Sequence, residues 1–282
     1  MQPDRPSRPA AASPGADLAS ETTCGSLGGR RILVVGGGQL PSADAGNPVN
    51  NGRAICMTLS RAGASIACAD KSTEAAELTV RSVRDGGAVA IPADVASAAG
   101  IKGMVQAART ALGGLDGLVL NVGISRREPL AELTADSWDE VMAVNLRAHM
   151  LTVQQALPLM SMHGAIVFVS SVAARLPAGM NPVYEASKAA LGALCRATAL
   201  AGQPNHIRAN VVMLGLIDTP MGRAASAARP GRTAALPLSR QGTPWEVAHA
   251  VRFLLSAQAS YINAVELPVD GGLSAGIASA PS

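Results

Sequence analysis

Three residues of this 282-residue chain have the types and spacing for proton chemistry at a substrate oxygen: Ser171, Tyr184 and Lys188. Tyr184 and Lys188 are four apart in a segment of helical pattern, which places them on one face a turn apart. Ser171 leaves an apolar, β-branched run thirteen residues before the tyrosine. A phenol of pKa about 10 is a poor base at neutral pH, but a nearby ammonium favours the phenolate. Lowering that pKa by about 3 units takes roughly 4 kcal/mol, within reach of a close cation in a partly desolvated site. An ordinary surface helix can carry the same pair, so the triplet needs a scaffold that brings its members together.

A second group of residues suits a dinucleotide. The run Ile32-Leu-Val-Val35 enters Gly36-Gly37-Gly38, and a helix begins near Gly52-Arg53-Ala54. Strand, glycine-rich turn and helix let a backbone approach a pyrophosphate with no Cβ in the way, and the helix N-terminus offers N–H groups. A tight loop serving no ligand has the same composition. Asp70 ends the second apolar run, where a carboxylate can accept both ribose hydroxyls of an adenosine and repel a 2′-phosphate. That favours NAD over NADP, with Lys71 partly offsetting the repulsion; taken alone, Asp70 is equally a turn residue. Asp94 and Val95 follow the third run, and Asn121 and Gly123 follow the fourth. All fall at the carboxyl ends of strands, the edge where open α/β sheets bind ligands, although Asp and Asn favour turns in any case.

The elements that must position these groups alternate strictly. Strands are expected at 32–35, 65–69, 88–91, 117–120, 165–169, 208–212 and 266–269, mostly continuous apolar runs of the kind buried on both faces of a parallel sheet. Helices are expected at 53–61, 73–84, 97–112, 135–157, 184–200 and 244–255. Thr134 and Thr243 suit N-caps and Pro244 a first turn, while Gly63 and Gly113 serve as stops. The pattern predicts an α/β fold: a single Rossmann-type doubly wound parallel sheet of about seven strands flanked by helices on both faces. The expected division is a disordered N-terminal tail over 1–28, one catalytic domain over 29–275 and a short tail over 276–282.

Composition narrows the function. Aromatic residues make up only 2% of the chain, so Ala, Val, Leu, Ile and Gly must fill the core, and aromatic platforms for nucleic acid or carbohydrate are not expected. The net charge of +3 is scattered, without the polybasic surface of a nucleic-acid binder. Cys24, Cys56, Cys68 and Cys195 lie far apart with no zinc spacing, so no metal site is expected and the thiols read as small buried groups in a reducing compartment. No apolar run approaches the roughly 20 residues of a membrane span. The first 28 residues lack the apolar stretch of a secretory signal. A cytoplasmic protein is expected.

Five motifs in order carry a resemblance to a known family: Val144-Asn145-Leu146, Val-Ser-Ser171-Val-Ala, Tyr184-Glu-Ala-Ser-Lys188, Gly215-Leu-Ile-Asp-Thr219-Pro-Met and Val269-Asp-Gly-Gly272. On these the chain resembles the short-chain dehydrogenases/reductases from about residue 31 to 272. The resemblance implies that Tyr184 is a general acid/base for a carbonyl or hydroxyl oxygen. It implies that Lys188 lowers the tyrosine pKa and holds the nicotinamide ribose, and that Ser171 hydrogen-bonds the reacting oxygen. Asn145 would support a water relay, and Ile217 and Thr219 would bind the carboxamide end of NAD or NADP. A homodimer or homotetramer is implied, packing 135–157 and 184–200 against a second subunit, with Ala186, Ala189, Ala190, Gly192 and Ala193 as a small-residue surface.

The chain also departs from the family. The usual Thr-Gly-x-x-x-Gly-x-Gly becomes Val35 followed by glycines sixteen positions apart, Gly36 and Gly52, with an insertion over 39–48 that contains Asp44. Asn50-Asn51-Gly52-Arg53-Ala54 resembles a longer-looped branch, which makes Gly36 and Gly52 the expected cofactor glycines. The insertion either covers the cofactor or bulges away from it. Leu120, Val122 and Leu214 are further, milder replacements. The substrate segment, 222–236, is mostly Ala, Gly, Ser and Arg. Arg126, Arg127, Arg175, Arg223, Arg229 and Arg232 would suit a 3-oxoacyl or 3-hydroxyacyl substrate if they face the pocket. On solvated loops they leave room for a steroid or alicyclic alcohol. A non-catalytic dinucleotide-binding scaffold and a Rossmann-like methyltransferase are the alternatives, and neither has a use for Ser171, Tyr184 and Lys188 together.

Overall fold

A computed structural model describes residues 25–41, 48–83, 87–177, 180–227, 233 and 235–276. Seven parallel strands form one sheet: β1 (Arg31–Val35), β2 (Ser65–Asp70), β3 (Ala88–Pro92), β4 (Gly117–Leu120), β5 (Ala165–Ser171), β6 (Arg208–Leu214) and β7 (Glu266–Val269). Their order is β3-β2-β1-β4-β5-β6-β7, so the winding reverses between β1 and β4. That reversal opens a crevice at the carboxyl ends of the strands.

Alternation along each strand divides the apolar side chains between two layers. On one face Ile32, Val34, Cys68, Val119, Val167 and Val212 pack with α1 (Asn51–Arg61) and α8 (Pro244–Leu255). On the other, Leu33, Val35, Ala67, Leu118, Phe168 and Val211 pack with α3 (Ala98–Leu112), α5 (Ala148–Ala156) and α6 (Pro182–Gly202). The remaining helices are α2 (Thr73–Ser82), α4 (Ala135–Met142) and α7 (Pro220–Ala227). Thr134 caps α4, and Thr243 forms a reciprocal capping box with Glu246 on α8. Gly113 ends α3 at φ +72°, where a Cβ would be strained.

The structure corrects the sequence expectations beyond small shifts at element ends. The helix expected over 135–157 contains a π-helical turn, Ala143–Arg147, between α4 and α5. Strand β5 runs two residues further than expected and carries Ser170 and Ser171 on the sheet itself. Helix α7 occupies part of the substrate segment, where no helix was expected. Leu27, assigned to the tail, is buried in the core, and its N–H donates to the Ala62 carbonyl at 2.8 Å. Residues 1–24, 42–47 and 277–282 lie outside the described residues, and with them Cys24, Asp44, most of the insertion and most of the expected C-terminal tail. No helix among the described residues is long and apolar enough to cross a membrane.

Candidate active site

The ends of β5 and α6 are stitched together by hydrogen bonds that fix the expected triplet. Pro182 opens α6, a favoured first-turn position, and places Tyr184 and then Lys188 on successive turns. The Ser170 hydroxyl donates to the Lys188 carbonyl at 2.9 Å, and the Ser187 hydroxyl to the Tyr184 carbonyl at 2.8 Å. The Lys188 ammonium donates to the Val169 carbonyl at 3.0 Å and lies 5.7 Å from the centre of the Tyr184 ring. The Ser171 hydroxyl is the hydrogen-bonding side chain that acts on the phenol.

Asn145 joins them from the π turn and is fully buried. Its amide donates to the Ile124 carbonyl at 2.9 Å and to the Ser187 hydroxyl at 3.0 Å, and its oxygen accepts from the Ile124 N–H at 2.8 Å. Gly123 fits between the two groups. A Cβ there would lie 3.2 Å from the Lys188 Nζ and 3.4 Å from the Asn145 Oδ1. π turns are frequent at functional sites, and here one carries Asn145.

The electrostatics differ from the sequence expectation. Burial pushes the Tyr184 phenol above its ordinary pKa, and the Ser171 hydrogen bond only partly opposes it. Burial likewise lowers Lys188 to about 8. The lysine was expected to pull the phenol down. Its ammonium instead bonds the Val169 carbonyl, and desolvation drives both groups toward neutrality.

The dinucleotide elements assemble around the β1–α1 turn. Gly36 adopts φ +80°, and a Cβ there would come 2.7 Å from the Val122 Cα. A Cβ on Gly52 would come 2.0 Å from the Gly36 carbonyl oxygen. The N–H groups of Asn51 and Gly52 at the start of α1 have no acceptor among the described residues. A bare turn beside open helix N–H groups fits a pyrophosphate. Asn121, expected to touch cofactor, donates its amide to the Gly36 carbonyl at 2.7 Å and so holds the turn.

Asp70 accepts from the Gly38 N–H at 3.0 Å and the Ser72 N–H at 3.1 Å, leaving lone pairs for further donors. Lys71 is paired with Asp94 at 3.2 Å. The Asp94 carboxyl sits below its ordinary pKa because the Ala96 N–H and Lys71 both favour its ionised form. Val95 is half-buried beside it. Register pairs Ser171 with Leu214, so the chain leaves β6 next to that serine. Ile217 and Thr219 are buried there, and the Thr219 hydroxyl accepts from the Gly222 N–H at 3.0 Å.

Sequence reasoning missed two residues of this region. Gln39 ties the base of the insertion: its amide donates to the Pro48 carbonyl at 3.0 Å and its oxygen accepts from the Asn50 N–H at 2.7 Å. Asn50 caps α1 and donates to the Gly38 carbonyl at 2.8 Å, which restores a short glycine turn across the insertion. The other is His149, fully buried beside the Asn121–Gly123 turn, which it meets through the Val122 carbonyl.

The arginines are largely spoken for. Arg126 pairs with Glu140 at 2.6 Å, Arg175 with Glu266 at 2.9 Å and Arg223 with Asp218 at 2.6 Å. Arg127 is exposed, and Arg229 and Arg232 lie outside the described residues. Gly192, expected on an outer surface, is buried instead; a Cβ there would come 2.3 Å from the Glu266 carboxylate. Ala189 and Ala193 do face outward. A groove of about 800 Å³ runs along α4, the π turn and α5, lined by Met142, Ala143, Leu146, Met150 and Leu194 with Asp139, Glu140 and Arg147 at its edges.

Comparison with known proteins agrees with this fold. Residues 50–274 match the family described as enoyl-(acyl carrier protein) reductase. A 2,5-dichloro-2,5-cyclohexadiene-1,4-diol dehydrogenase of Sphingobium indicum is 30% identical over 256 residues, covering 89% of this chain and 98% of that protein. A short-chain dehydrogenase/reductase from Serratia marcescens superposes with a TM-score of 0.81 at 33% identity, covering 88% of this chain and 99% of that one. A blue fluorescent protein from a metagenomic library, solved in complex with NADPH, superposes with a TM-score of 0.79 at 33% identity, over 88% and 98% of the two chains.

Proposed function

The chain belongs to the short-chain dehydrogenases/reductases and is an oxidoreductase using a nicotinamide dinucleotide, and from that premise we propose a secondary alcohol/ketone couple with Tyr184 as its proton carrier. The observation that carries this reading is the convergence of Ser171, Tyr184 and Lys188 with Gly123 and Asn145 beside the β1–β4 reversal.

The dinucleotide supplies or takes up the hydride when bound. The protein's part is to handle the proton and orient the oxygen. Tyr184 gives its hydroxyl proton to the carbonyl oxygen in reduction and takes it back in oxidation, with Ser171 hydrogen-bonded to the same oxygen. Lys188 would hold the nicotinamide ribose, and Asn145 would support the path of the proton to water. Gly36, Gly52 and the N-terminus of α1 would receive the pyrophosphate. Asp70 would hold the adenosine ribose, Asp94 and Val95 the adenine, and Ile217 and Thr219 the carboxamide.

NAD is the favoured cofactor. The Asp70 carboxylate repels a 2′-phosphate, and Lys71 is held by Asp94 rather than offered to one. The substrate we assign is a neutral alicyclic alcohol or ketone. Three of the six arginines that might have drawn an anionic acyl chain are already neutralised, and the similar Sphingobium protein is named for a ring diol. The groove along α4 and α5 is assigned to a second copy of the chain.

Titration of the purified protein with NADH and NADPH, read by cofactor fluorescence, tests the cofactor half. Tighter binding of NADH is expected, and tighter NADPH would overturn the role given to Asp70. Oxidation of cyclohexanol and related ring alcohols, followed at the nicotinamide absorbance, tests the substrate half. A preference for acyl thioesters would overturn that assignment.

A further inference from the structure

We propose that His149 is a positioning residue that aims the Gly123 amide into the cleft as a hydrogen-bond donor to the bound dinucleotide. The inference rests on the cofactor reading above.

His149 lies on α5, one turn after Asn145, and is fully buried. Its Nε2 is 3.1 Å from the Val122 carbonyl oxygen. A carbonyl only accepts, so Nε2 carries the hydrogen and Nδ1 is bare. Nδ1 is buried and has no partner among the described residues. The Phe168 ring is tilted against the imidazole at 6.3 Å. A residue that only filled this space would not need a ring with an unsatisfied nitrogen. The single polar contact, to Val122, is what an apolar side chain could not supply.

That contact fixes a peptide plane. The Val122 N–H donates to the Val35 carbonyl at 3.0 Å, and the backbone of Val122 packs on Gly36. Asn145 grips the next residue but one, Ile124, through both its amide and its oxygen. The peptide between Val122 and Gly123 is planar and trans, so its N–H points opposite to its carbonyl. With the carbonyl drawn to α5, the Gly123 N–H turns away from that helix. It has no acceptor among the described residues. It is next to Lys188, on the crevice edge that the glycine turn also lines. A directed amide donor there suits a ribose or phosphate oxygen of the dinucleotide. Burial and the Lys188 charge hold the imidazole neutral, with a pKa of about 3, so the contact persists across neutral pH.

Two variants separate aiming from filling. His149→Leu removes the donor, and His149→Gln keeps an N–H able to reach the Val122 carbonyl. Loss of one directed hydrogen bond should weaken NADH binding about ten-fold in His149→Leu and raise its KM alike, with kcat at saturating cofactor changed less than about two-fold. His149→Gln should recover to within about three-fold of the wild type. In the wild type, saturating NADH should slow hydrogen exchange at the Gly123 amide, read by ¹⁵N NMR. Wild-type affinity in His149→Leu, equal weakness in both variants, or Gly123 exchange indifferent to NADH overturns the proposal. The exchange measurement decides alone if His149→Leu does not fold. Failure of the wild type to bind either dinucleotide is a separate result, which removes the cofactor reading first.

Discussion

The Lys188 ammonium is 5.7 Å from the centre of the Tyr184 ring yet bonds the Val169 carbonyl at 3.0 Å, so the lysine is anchored to the strand rather than to the phenol. The pair is therefore held in geometry by backbone contacts while desolvation disfavours both charged forms. A buried ammonium of this kind is a cost to the fold that the chemistry requires.

The sign of that cost is fixed by the direction of the shift. Lys188 titrates at about 8 in the folded chain against 10.5 ordinarily, so between those values the unfolded chain binds more protons. The penalty is full below pH 8 and fades as pH rises toward 10.5. Lys188→Met should raise stability at pH 7 by about 1–3 kcal/mol, after loss of the Val169 hydrogen bond, while abolishing turnover. Urea midpoints of the two proteins from pH 7 to 10 check it, and they should converge as pH rises. Tyr184→Phe should cut kcat by about 10³-fold or more with NADH affinity within about two-fold, since only the proton carrier is removed.

Asp70 performs two tasks, and its variants separate them. Its carboxylate accepts the Gly38 and Ser72 amides, beside the ribose role proposed for it above. Asp70→Ala should therefore loosen the glycine turn for both dinucleotides but weaken NADH about ten-fold more than NADPH, because only NADPH gains from removing a repelling charge. Paired fluorescence titrations give the ratio. An NADPH loss equal to or larger than the NADH loss would sink the discriminating role.

Much of this was legible in the sequence, for reasons that vary by element. Strand β4 matched its expected span because a short, fully buried apolar run between turn residues suits a parallel sheet, and β7, a half-exposed edge strand of sequence Glu-Leu-Pro-Val, matched as well. The serine, tyrosine and lysine were legible because strand end and helix turn fix their spacing locally. The π turn was not, since Val144-Asn145-Leu146 keeps ordinary helical periodicity and the extra residue is accommodated only by packing on α6. The closure of the insertion by Gln39 depends on a contact between its two ends, which no local pattern records. His149 gave no signal either: one histidine in an apolar stretch has the same look whether it fills or aims. The acceptor taken by the Lys188 ammonium is likewise a tertiary fact, and so is the burial that raises the tyrosine pKa against expectation.

Stability at low pH should depend on a pair far from the cleft. Arg31 binds Asp116 through two hydrogen bonds, Nε at 2.7 Å and Nη2 at 2.8 Å, and fastens the start of β1 to the residue preceding β4. The guanidinium holds the Asp116 carboxyl down at about 2. Its folded pKa lies below its ordinary value, so the stabilisation is present above about pH 4 and lost as pH falls toward 2, about 2 kcal/mol in all. Asp116→Asn should cost about 2–3 kcal/mol at pH 7, because it leaves a half-buried guanidinium without its counter-charge. The difference from wild type should shrink below pH 3. A gap that stays constant from pH 7 to 2.5 in urea unfolding would assign the cost to packing instead.

The groove along α4 and α5 leads to the last prediction. Trp138 and Met150 are more than a third exposed on these helices, and the groove's floor is apolar while Asp139, Glu140 and Arg147 stand at its edges. An apolar centre with charged borders is the make-up of a contact between subunits rather than of a solvated face. In a two-fold contact each substitution is felt twice, since the same patch meets its own copy. Met150→Arg should therefore place two unpaired charges in the buried centre and shift the protein to monomers, measured by sedimentation velocity. Ser171, Tyr184 and Lys188 lie at the end of β5 and on α6, outside the residues that line the groove, so the monomer should still bind NADH. An unchanged sedimentation coefficient in Met150→Arg would move the subunit contact to another face of the molecule.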